Sequence, residues 1–238
     1  RDRHAVEEAL RLPRLAPRVR RPRRRDRAVG VDDEVTAELL VHGLHAREQR
    51  DVLPAAQRLA ISPYPKQLER ICNLPDSRSF LIRPILPEDE PELKDLVRRM
   101  PAEDVRMRFF QPIHELPHEM AARLTQLDYE REMAFVVTEP NSLPGKGKIW
   151  GAVRCNADPN LEKAEYAILI DRAMTGMGMG PMLMRYIIEY ARKLGIKELY
   201  GEVLRENESM LKLNRALNFQ IRSSPDDPGV FHVSLPLS

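Results

Sequence analysis

The sequence predicts a mixed α/β domain with a mostly antiparallel central sheet that is flanked by helices. Short runs rich in β-branched and aromatic residues alternate with segments in which apolar residues recur at helical spacing. Three predicted strands follow one another through short loops, which favours antiparallel neighbours. A glycine-rich segment then introduces a helix–strand–helix order, and a sheet that contains both kinds of connection is mixed.

The first half of the domain is predicted to begin with one strand and three helices. The strand covers residues 80–86 (FLIRPIL), and the acidic residues after Pro87 favour a helix start. That helix carries apolar residues at helical spacing: Leu93, Leu96, Val97 and Met100. Two more helices are predicted at residues 102–110 and 117–127.

Three strands and the glycine-rich segment come next. The strands are predicted at residues 133–138 (MAFVVT), 149–155 (IWGAVRC) and 164–170 (AEYAILI), the first two as a hairpin. Gly195 is expected to cap the helix that follows the glycine-rich segment. That helix is predicted at residues 181–194, and a strand at residues 198–204 follows it. A last helix at residues 206–217 and a pair of strands at residues 219–222 and 230–234 complete the predicted domain.

The N-terminal quarter differs in composition from the rest of the chain. Residues 1–30 contain 11 Arg against four acidic residues, and all 13 aromatic residues lie at or after Tyr64. A segment without large rings has little apolar surface to offset its ordering entropy. We expect residues 1–59 to form an Arg-rich arm that is disordered or partly helical, residues 60–79 to be a linker, and residues 80–238 to be the folded domain.

The composition disfavours several classes of protein. No apolar stretch reaches the roughly 18 residues of a spanning helix, so no membrane role is expected. The Arg-rich run lacks interleaved aromatic residues on which bases could stack, which disfavours nucleic-acid binding. Cys72 and Cys155 do not make a disulfide framework and the N-terminal residues lack the apolar segment of a signal peptide, so a cytoplasmic protein is expected. Pro117 lies between His114 and His118 without an evident carboxylate triad, which disfavours a metal site.

The glycine-rich segment, residues 175–180 (TGMGMG), lies between a strand and a helix. Backbone amides in such a turn, together with the positive end of the helix, favour an anion such as a diphosphate. A nucleoside-triphosphate loop needs Lys followed by Ser or Thr after its last glycine, whereas Pro181 and Met182 stand there. A dinucleotide fingerprint would need its third glycine one residue later. A tight turn without any ligand remains an alternative.

Together these elements resemble the acyl-CoA-binding core of the GCN5-related N-acetyltransferase (GNAT) family. The family pattern [Gln/Arg]-x-x-Gly-x-[Gly/Ala] matches with Thr175 at its first position and with Gly178 and Gly180 at its glycines. The later helix, which follows Glu206 and Asn207 and precedes Phe219, also matches the family core.

Four segments narrow the resemblance. Residues 61–69 (ISPYPKQLE), 82–90 (IRPILPEDE), 108–110 (RFF) and 128–134 (DYEREMA) are similar to the C-terminal acetyltransferase domain of bacterial Pat-type protein lysine acetyltransferases. The resemblance covers roughly residues 60–238. It implies a GNAT fold.

The resemblance also implies acetyl-CoA as cosubstrate, with no metal. The residues that it assigns to the cosubstrate are Ile168, Leu169, Ile170, Thr175, Gly176, Met177, Gly178, Gly180, Pro181 and Asn207. Four positions depart from the usual family residues, and one of them, Asn218 in place of the Gly before Phe219, is tolerable because Asn accepts left-handed geometry. Thr175 replaces Gln or Arg, Met177 replaces a residue that is commonly basic, and Asn214 replaces a Tyr that protonates the leaving thiolate, a role then left to Ser209 or water.

Glu165 is the candidate general base. It alternates with Tyr166 in the strand AEYAILI and therefore projects from the opposite face of the sheet, where desolvation would raise the pKa of its carboxyl group. In the Pat-type resemblance the Glu of the A-E-[Phe/Tyr]-A strand is likewise the expected base. Glu132 is the second candidate, and a surface salt bridge is the alternative role for Glu165.

The expected function is acyl-CoA-dependent acetylation of lysine side chains of proteins, by direct attack of the lysine amine on acetyl-CoA with Glu165 as base. The expected partner is a protein that presents the lysine, and an acyl-CoA synthetase is one candidate. Two alternatives stay open: a non-catalytic acyl-CoA-sensing module of an acyl-CoA synthetase, and an N-acetyltransferase of small molecules.

Overall fold

The described part of the protein is built around one eight-stranded sheet with helices on both of its faces. The computed structural model describes residues 63–129, 131–225 and 227–237, so the predicted arm at residues 1–59 lies outside the described residues. Within them the strands are β1 (Arg70–Asn73), β2 (Ser79–Pro84), β3 (Glu132–Thr138), β4 (Gly151–Ala157), β5 (Lys163–Ile170), β6 (Glu198–Leu204), β7 (Gln220–Ser223) and β8 (Val230–Pro236). The α-helices are α1 (Glu90–Arg99), α2 (Ala102–Phe109), α3 (His118–Thr125), α4 (Met179–Leu194) and α5 (Glu208–Ala216).

The strands form a sheet in the order β1-β2-β3-β4-β5-β6-β8-β7. Neighbouring strands are antiparallel with the exception of β5 and β6, which are parallel. The predicted mixed, mostly antiparallel sheet and the predicted order of its elements are therefore confirmed.

The predicted linker at residues 60–79 is wrong over part of its length. Residues 70–73 form β1, which pairs with β2, and β2 itself begins at Ser79. β1 is a short strand at the edge of the sheet, and its Ile71 is 55% exposed. Because little of this strand is buried, it lacks the alternation of apolar and polar residues by which strands are recognised.

Two hydrophobic clusters cover the two faces of the sheet. One cluster packs α4 and α5 against one face and includes Phe135, Tyr166 and Leu183. The other packs α1, α2 and α3 against the opposite face, over β3 and β4, and includes Leu96 and Val136. Alternate residues of the central strands therefore point into different clusters.

A buried ion pair connects the sheet to the helices on the second face. The guanidinium of Arg83 on β2 donates to both carboxylate oxygens of Asp89, at 2.6 and 2.7 Å, and both side chains are almost fully buried. The Asp89 carboxylate also accepts the backbone N–H groups of Leu86 at 2.8 Å and Gly145 at 3.0 Å. One carboxylate thus joins β2, the start of α1 and the loop between β3 and β4.

The parallel strands β5 and β6 pair over only three positions. The register pairs Lys163 with Glu198, Ala164 with Leu199 and Glu165 with Tyr200. β5 continues to Ile170 and β6 to Leu204 without further pairing between them. The C-terminal ends of these two strands therefore border an opening in the sheet.

Tyr166 lies where the pairing ends. A Cβ atom added to Gly201 of β6 would lie 2.9 Å from Cε1 of Tyr166, so the ring needs the space that glycine leaves. The Tyr166 hydroxyl donates to Oδ1 of Asn214 at 2.7 Å, and Nδ2 of Asn214 donates to the carbonyl of Met210 at 2.9 Å. Asn214 is fully buried, so its amide ties β5 to α5 inside the core.

Replacing Asp89 with Asn should destabilise the protein by about 3–5 kcal/mol, because the buried Arg83 guanidinium would lose its compensating charge. Urea unfolding of the purified chain measures this change. The matched control is Glu189→Gln, which breaks exposed pairs with Lys193 and Arg70 and should cost less than about 1 kcal/mol. Equal effects of the two substitutions would contradict the structural role of the Arg83–Asp89 pair.

Tyr166→Phe and Asn214→Ala should each destabilise the protein by about 1–3 kcal/mol, because each leaves a buried polar group without its partner. The double variant should cost about 1–2 kcal/mol less than the sum of the single variants, since the second substitution removes the group that the first left unpaired. A double-mutant cycle in urea tests this coupling. Strict additivity would show that the hydroxyl–amide contact contributes nothing.

Candidate active site

The backbone of β5 faces the opening at alternate residues. The N–H of Asp171 donates to the carbonyl of Trp150, and the N–H of Asp158 donates to the carbonyl of Lys163. Odd-numbered residues of β5 thus direct their backbone groups toward β4, and even-numbered residues direct theirs toward β6. Among the residues of β5 that are predicted to bind the cosubstrate, Ile168 and Ile170 therefore face the opening.

Leu169 is differently placed from its two neighbours. Its backbone belongs to the ladder with β4, where it pairs with Ala152. Its side chain is 8% exposed and lies in the cluster beneath α1, α2 and α3. The structure thus brings Ile168 and Ile170 to the opening but does not bring Leu169 there.

The glycine-rich segment begins one short turn after β5. The carboxylate of Asp171 accepts the N–H of Ala173 at 3.0 Å and starts a 3-10 turn at residues 172–174. Gly176 and Gly178 then adopt φ values of 80° and 89°, in the left-handed region that favours glycine. The predicted segment is therefore a turn whose shape depends on these glycines.

The helix α4 begins at Met179, two residues before its predicted start. Its first hydrogen bond runs from the N–H of Met182 to the carbonyl of Gly178. The N–H groups of Met179 and Gly180 consequently have no acceptor within the helix. Gly180 and Pro181 lie in the first helical turn, where free amides and the helix dipole favour an anion.

Three elements converge at this end of the opening. A Cβ added to Gly180 would lie 3.2 Å from Cδ1 of Ile170 on β5 and 3.5 Å from Cδ2 of Leu213 on α5. Thr175 and Met177 lie on the exposed side of the turn, and Met177 is 39% exposed. The amides at the start of α4 therefore lie beside the end of the β5 edge that carries Ile168 and Ile170.

Asn207 caps α5 on the other side of the opening. Its Oδ1 accepts the N–H of Met210 and the hydroxyl of Ser209, both at 3.1 Å. Its Nδ2 has no hydrogen-bond acceptor in the part of the chain that the structure describes. The amide is thus oriented by its oxygen and keeps two N–H groups for a ligand, whereas the Ser209 hydroxyl already donates to Asn207.

A cation near the glycine-rich segment was not predicted from the sequence. The guanidinium of Arg78, at the turn between β1 and β2, contacts the sulfur of Met177, and its Nη1 lies 3.6 Å from the sulfur of Met174. Arg78 also pairs with Asp76 at 2.7 Å. Almost 100 residues separate Arg78 from Met177, so local patterns in the sequence give no signal of this contact.

Glu165 projects from the opposite face of the sheet from Tyr166, as predicted. It lies in register between Asn156 of β4 and Tyr200 of β6, at the last paired position before the opening. Its carboxylate has no hydrogen bond or ion pair among the described residues. It is half-buried and can therefore take up a proton without first breaking a contact.

Burial raises the pKa of the Glu165 carboxyl above its ordinary value. The positive charge of Arg108 on α2 opposes this shift, the negative charge of Glu202 on β6 adds to it, and Arg154 on β4 opposes it more weakly. The environment thus moves Glu165 toward the pKa range of a base that works near neutral pH.

Glu132 occupies the same row of the sheet, two strands away from Glu165. Its Oε2 lies 3.2 Å from Nη2 of Arg154, so its carboxylate is already engaged in an ion pair. It is more distant from the opening than Glu165 and lacks a free carboxylate. The geometry thus favours Glu165 over Glu132 as the base.

Beyond Glu165 the same face of the sheet stays polar. Tyr200 stacks on the imidazole of His232, with ring centroids 5.5 Å apart, and Glu202 pairs in register with His232. Arg222 of β7 is the next residue in this row. The surface beside Glu165 therefore carries hydroxyl, carboxylate, imidazole and guanidinium groups.

The described residues provide neither a cluster suited to a metal ion nor a helix suited to span a membrane. No group of three or more His, Cys, Asp or Glu side chains is arranged there to hold a metal ion. His118 instead contacts the carboxylate of Glu90 at 2.6 Å. None of the helices in the described ranges has the length and hydropathy needed to span a membrane.

Sequence comparisons relate the chain to known acetyltransferases. The chain matches the Acetyltransferase (GNAT) family over residues 101–219, which contain Glu165, the glycine-rich segment and Asn207. It is also 31% identical over 157 residues to Acetyltransferase PA5475 of Pseudomonas aeruginosa, and this alignment covers 65% of the chain and 82% of the relative.

Solved structures show the same fold. The GNAT domain of S. lividans PAT superposes with a TM-score of 0.66 at 25% identity, covering 73% of this chain and 99% of that domain. RimL, a ribosomal L7/L12 alpha-N-protein acetyltransferase solved in complex with coenzyme A, superposes with a TM-score of 0.55 at 15% identity, covering 70% of this chain and 98% of RimL. The resemblance inferred from the sequence is confirmed, and the chain belongs to the GNAT family of N-acetyltransferases.

Proposed function

We propose that this protein transfers the acetyl group of acetyl-CoA to lysine side chains of proteins, with Glu165 as the general base. The observation that carries the proposal is the position of Glu165. It is a half-buried carboxylate without a hydrogen bond among the described residues, at the last paired position before the opening between β5 and β6. A base must lie beside the reacting thioester and keep its lone pairs available.

The opening and the glycine-rich turn suit the cosubstrate. The free amides of Met179 and Gly180 at the start of α4 would bind the diphosphate of coenzyme A. The backbone groups of Ile168 and Ile170 would pair with the amides of the pantetheine arm, and Nδ2 of Asn207 would donate to the same arm from the other side. The site needs no metal ion for these contacts.

The acceptor lysine must lose a proton before it attacks. An amine with a pKa near 10.4 is neutral in about one molecule in a thousand at pH 7.4, which corresponds to roughly 4 kcal/mol. The Glu165 carboxylate would accept this proton, and the neutral amine then forms its bond to the thioester carbon while its second proton passes to solvent. The carbon–sulfur bond then breaks, and the thiolate of coenzyme A takes a proton from water.

Two features of the site support this order of events. Ile168 or Ile170 can donate its N–H to the thioester oxygen and stabilise the negative charge that develops there. A thiol has a pKa near 8.5 and leaves readily even without a strong acid beside it. Asn214, at the position where the family commonly has Tyr, is buried and bonded to Tyr166, so solvent is the better source of the proton.

Two observations support a protein lysine as the acceptor: the sequence segments that resemble Pat-type enzymes, and the net negative charge of the chain outside residues 1–30. Residues 1–30 carry a local charge of +7 in a chain whose net charge is +2, so the remaining residues are mildly acidic. A surface of that sign favours encounter with a basic, lysine-bearing protein. An acyl-CoA synthetase is one acceptor of this class to assay.

A second function is favoured by Thr175, Met177 and Asn214. The side chains of the glycine-rich turn carry no cation, and Asn214 cannot act as an acid. A domain that binds acyl-CoA as a sensor, without turnover, would tolerate both features. Calorimetry with acetyl-CoA beside a thiol-release assay separates the two functions, since a sensor binds the thioester but releases no thiol in the presence of a lysine acceptor.

Glu165→Gln should lower kcat by about 10²–10⁴-fold and leave the Kd for acetyl-CoA unchanged, because it removes the proton acceptor but no contact with the cosubstrate. Thiol release at saturating acceptor measures kcat, and calorimetry measures Kd. The matched control is Glu198→Gln, at the opposite end of the β5–β6 pairing, where the side chain forms a surface pair with Lys163 at 3.1 Å and should not affect kcat.

The pH dependence provides an independent check on the same substitution. The pKa of Glu165 is raised above the ordinary glutamate value of 4.5. The rate should therefore increase with pH as the Glu165 carboxylate becomes ionised, and the midpoint of this increase should lie above pH 4.5. Glu165→Gln should abolish this limb of the profile. An unchanged kcat, or an unchanged acid limb, would contradict the role of Glu165.

A further inference from the structure

Arg108 lies on the same face of the sheet as Glu165 and has no charged partner among the residues that the structure describes. It is located on α2, close enough to Glu165 and Arg154 for their charges to act on it. Its side chain is half-buried, and the described residues offer it no hydrogen bond or ion pair. Its guanidinium lies over the ring of Phe109, 4.9 Å from the ring centroid.

Two other arginines near Arg108 are paired. Arg154 binds Glu132 at 3.2 Å, and Arg106, two residues away on α2, binds Glu206. Burial, with a smaller contribution from the positive charge of Arg154, lowers the pKa of the Arg108 guanidinium to about 10, and the negative charge of Glu165 opposes this shift. A desolvated charge without a partner is unfavourable, so this position favours an anion that the described residues do not supply.

The missing anion cannot be the diphosphate of the cosubstrate. The amides at the start of α4 belong to the helix that covers the opposite face of the sheet from Arg108. The charge of the Glu165 carboxylate acts on Arg108, but no hydrogen bond joins the two side chains in the described structure, and Glu165 must stay free to accept a proton. An anion on this face therefore arrives with the acceptor.

We propose that Arg108 binds a carboxylate of the acceptor and so selects a lysine that has an acidic residue beside it in the acceptor sequence. This inference rests on the proposed lysine acceptor. A guanidinium is suited to the task because its planar donors match both oxygens of a carboxylate. The positive charge of Arg108 also favours the neutral form of the lysine amine, which is the form that attacks.

The test compares two peptides that differ only in the residues flanking one lysine: glutamate in the first and glutamine in the second. Wild-type protein should acetylate the glutamate peptide with a kcat/KM about tenfold higher, since a charge-assisted contact is lost with glutamine. Arg108→Gln should reduce this ratio to about one. The control Arg98→Gln, on the exposed side of α1, should keep the tenfold ratio.

Charge reversal provides a second variant. Arg108→Glu should prefer a peptide with arginine beside the lysine over the glutamate peptide, the reverse of the wild-type order. Circular dichroism of each variant establishes that it is folded, and the wild-type ratio alone tests the preference if a variant does not fold.

The outcomes separate this inference from the function on which it rests. Equal kcat/KM for the two peptides with wild-type protein would overturn the role of Arg108 and leave the lysine acceptor intact. A tenfold ratio that persists in Arg108→Gln would also overturn it. Transfer to neither peptide, with acetyl-CoA bound, would contradict the lysine acceptor itself and the inference with it.

Discussion

The arrangement of the site depends on the early end of the pairing between β5 and β6. These strands share only three paired positions, although both continue for several residues. The ring of Tyr166 lies against Gly201 at the point where pairing stops, and its hydroxyl fixes α5 through Asn214. The cost of leaving backbone groups unpaired in a sheet is substantial, so an opening of this kind is retained where a ligand can satisfy them.

The opening also separates the two chemical tasks of the proposed reaction. Even-numbered residues of β5 point their side chains into the cluster beneath α4 and α5, and their backbone groups face the opening. Odd-numbered residues point their side chains to the other face, where Glu165 lies near Arg108 and Glu202. Because a strand alternates its side chains, one strand can offer its backbone to the cosubstrate and a carboxylate to the acceptor.

Much of the fold and part of the site could be predicted from local sequence patterns. Glycines 176, 178 and 180 and the strand AEYAILI are adjacent in sequence, so their spacing alone predicted the turn and the face of Glu165. Strand β1 is short and exposed, so no local pattern predicts it, and the resemblance that assigns Leu169 to the cosubstrate does not fix which backbone groups of β5 pair with β4. Arg78 and Arg108 reach their positions through tertiary packing, which no local pattern encodes.

Binding of the cosubstrate along the free edge of β5 is the central claim, and amide hydrogen exchange of single residues measures it most directly. Addition of coenzyme A should slow exchange at Ile168 and Ile170 by at least about tenfold more than at Leu169, whose amide is already bonded to β4. Leu169 thus reports any general stabilisation by the ligand. Equal slowing at all three residues, or no slowing at any of them, would contradict binding at this edge.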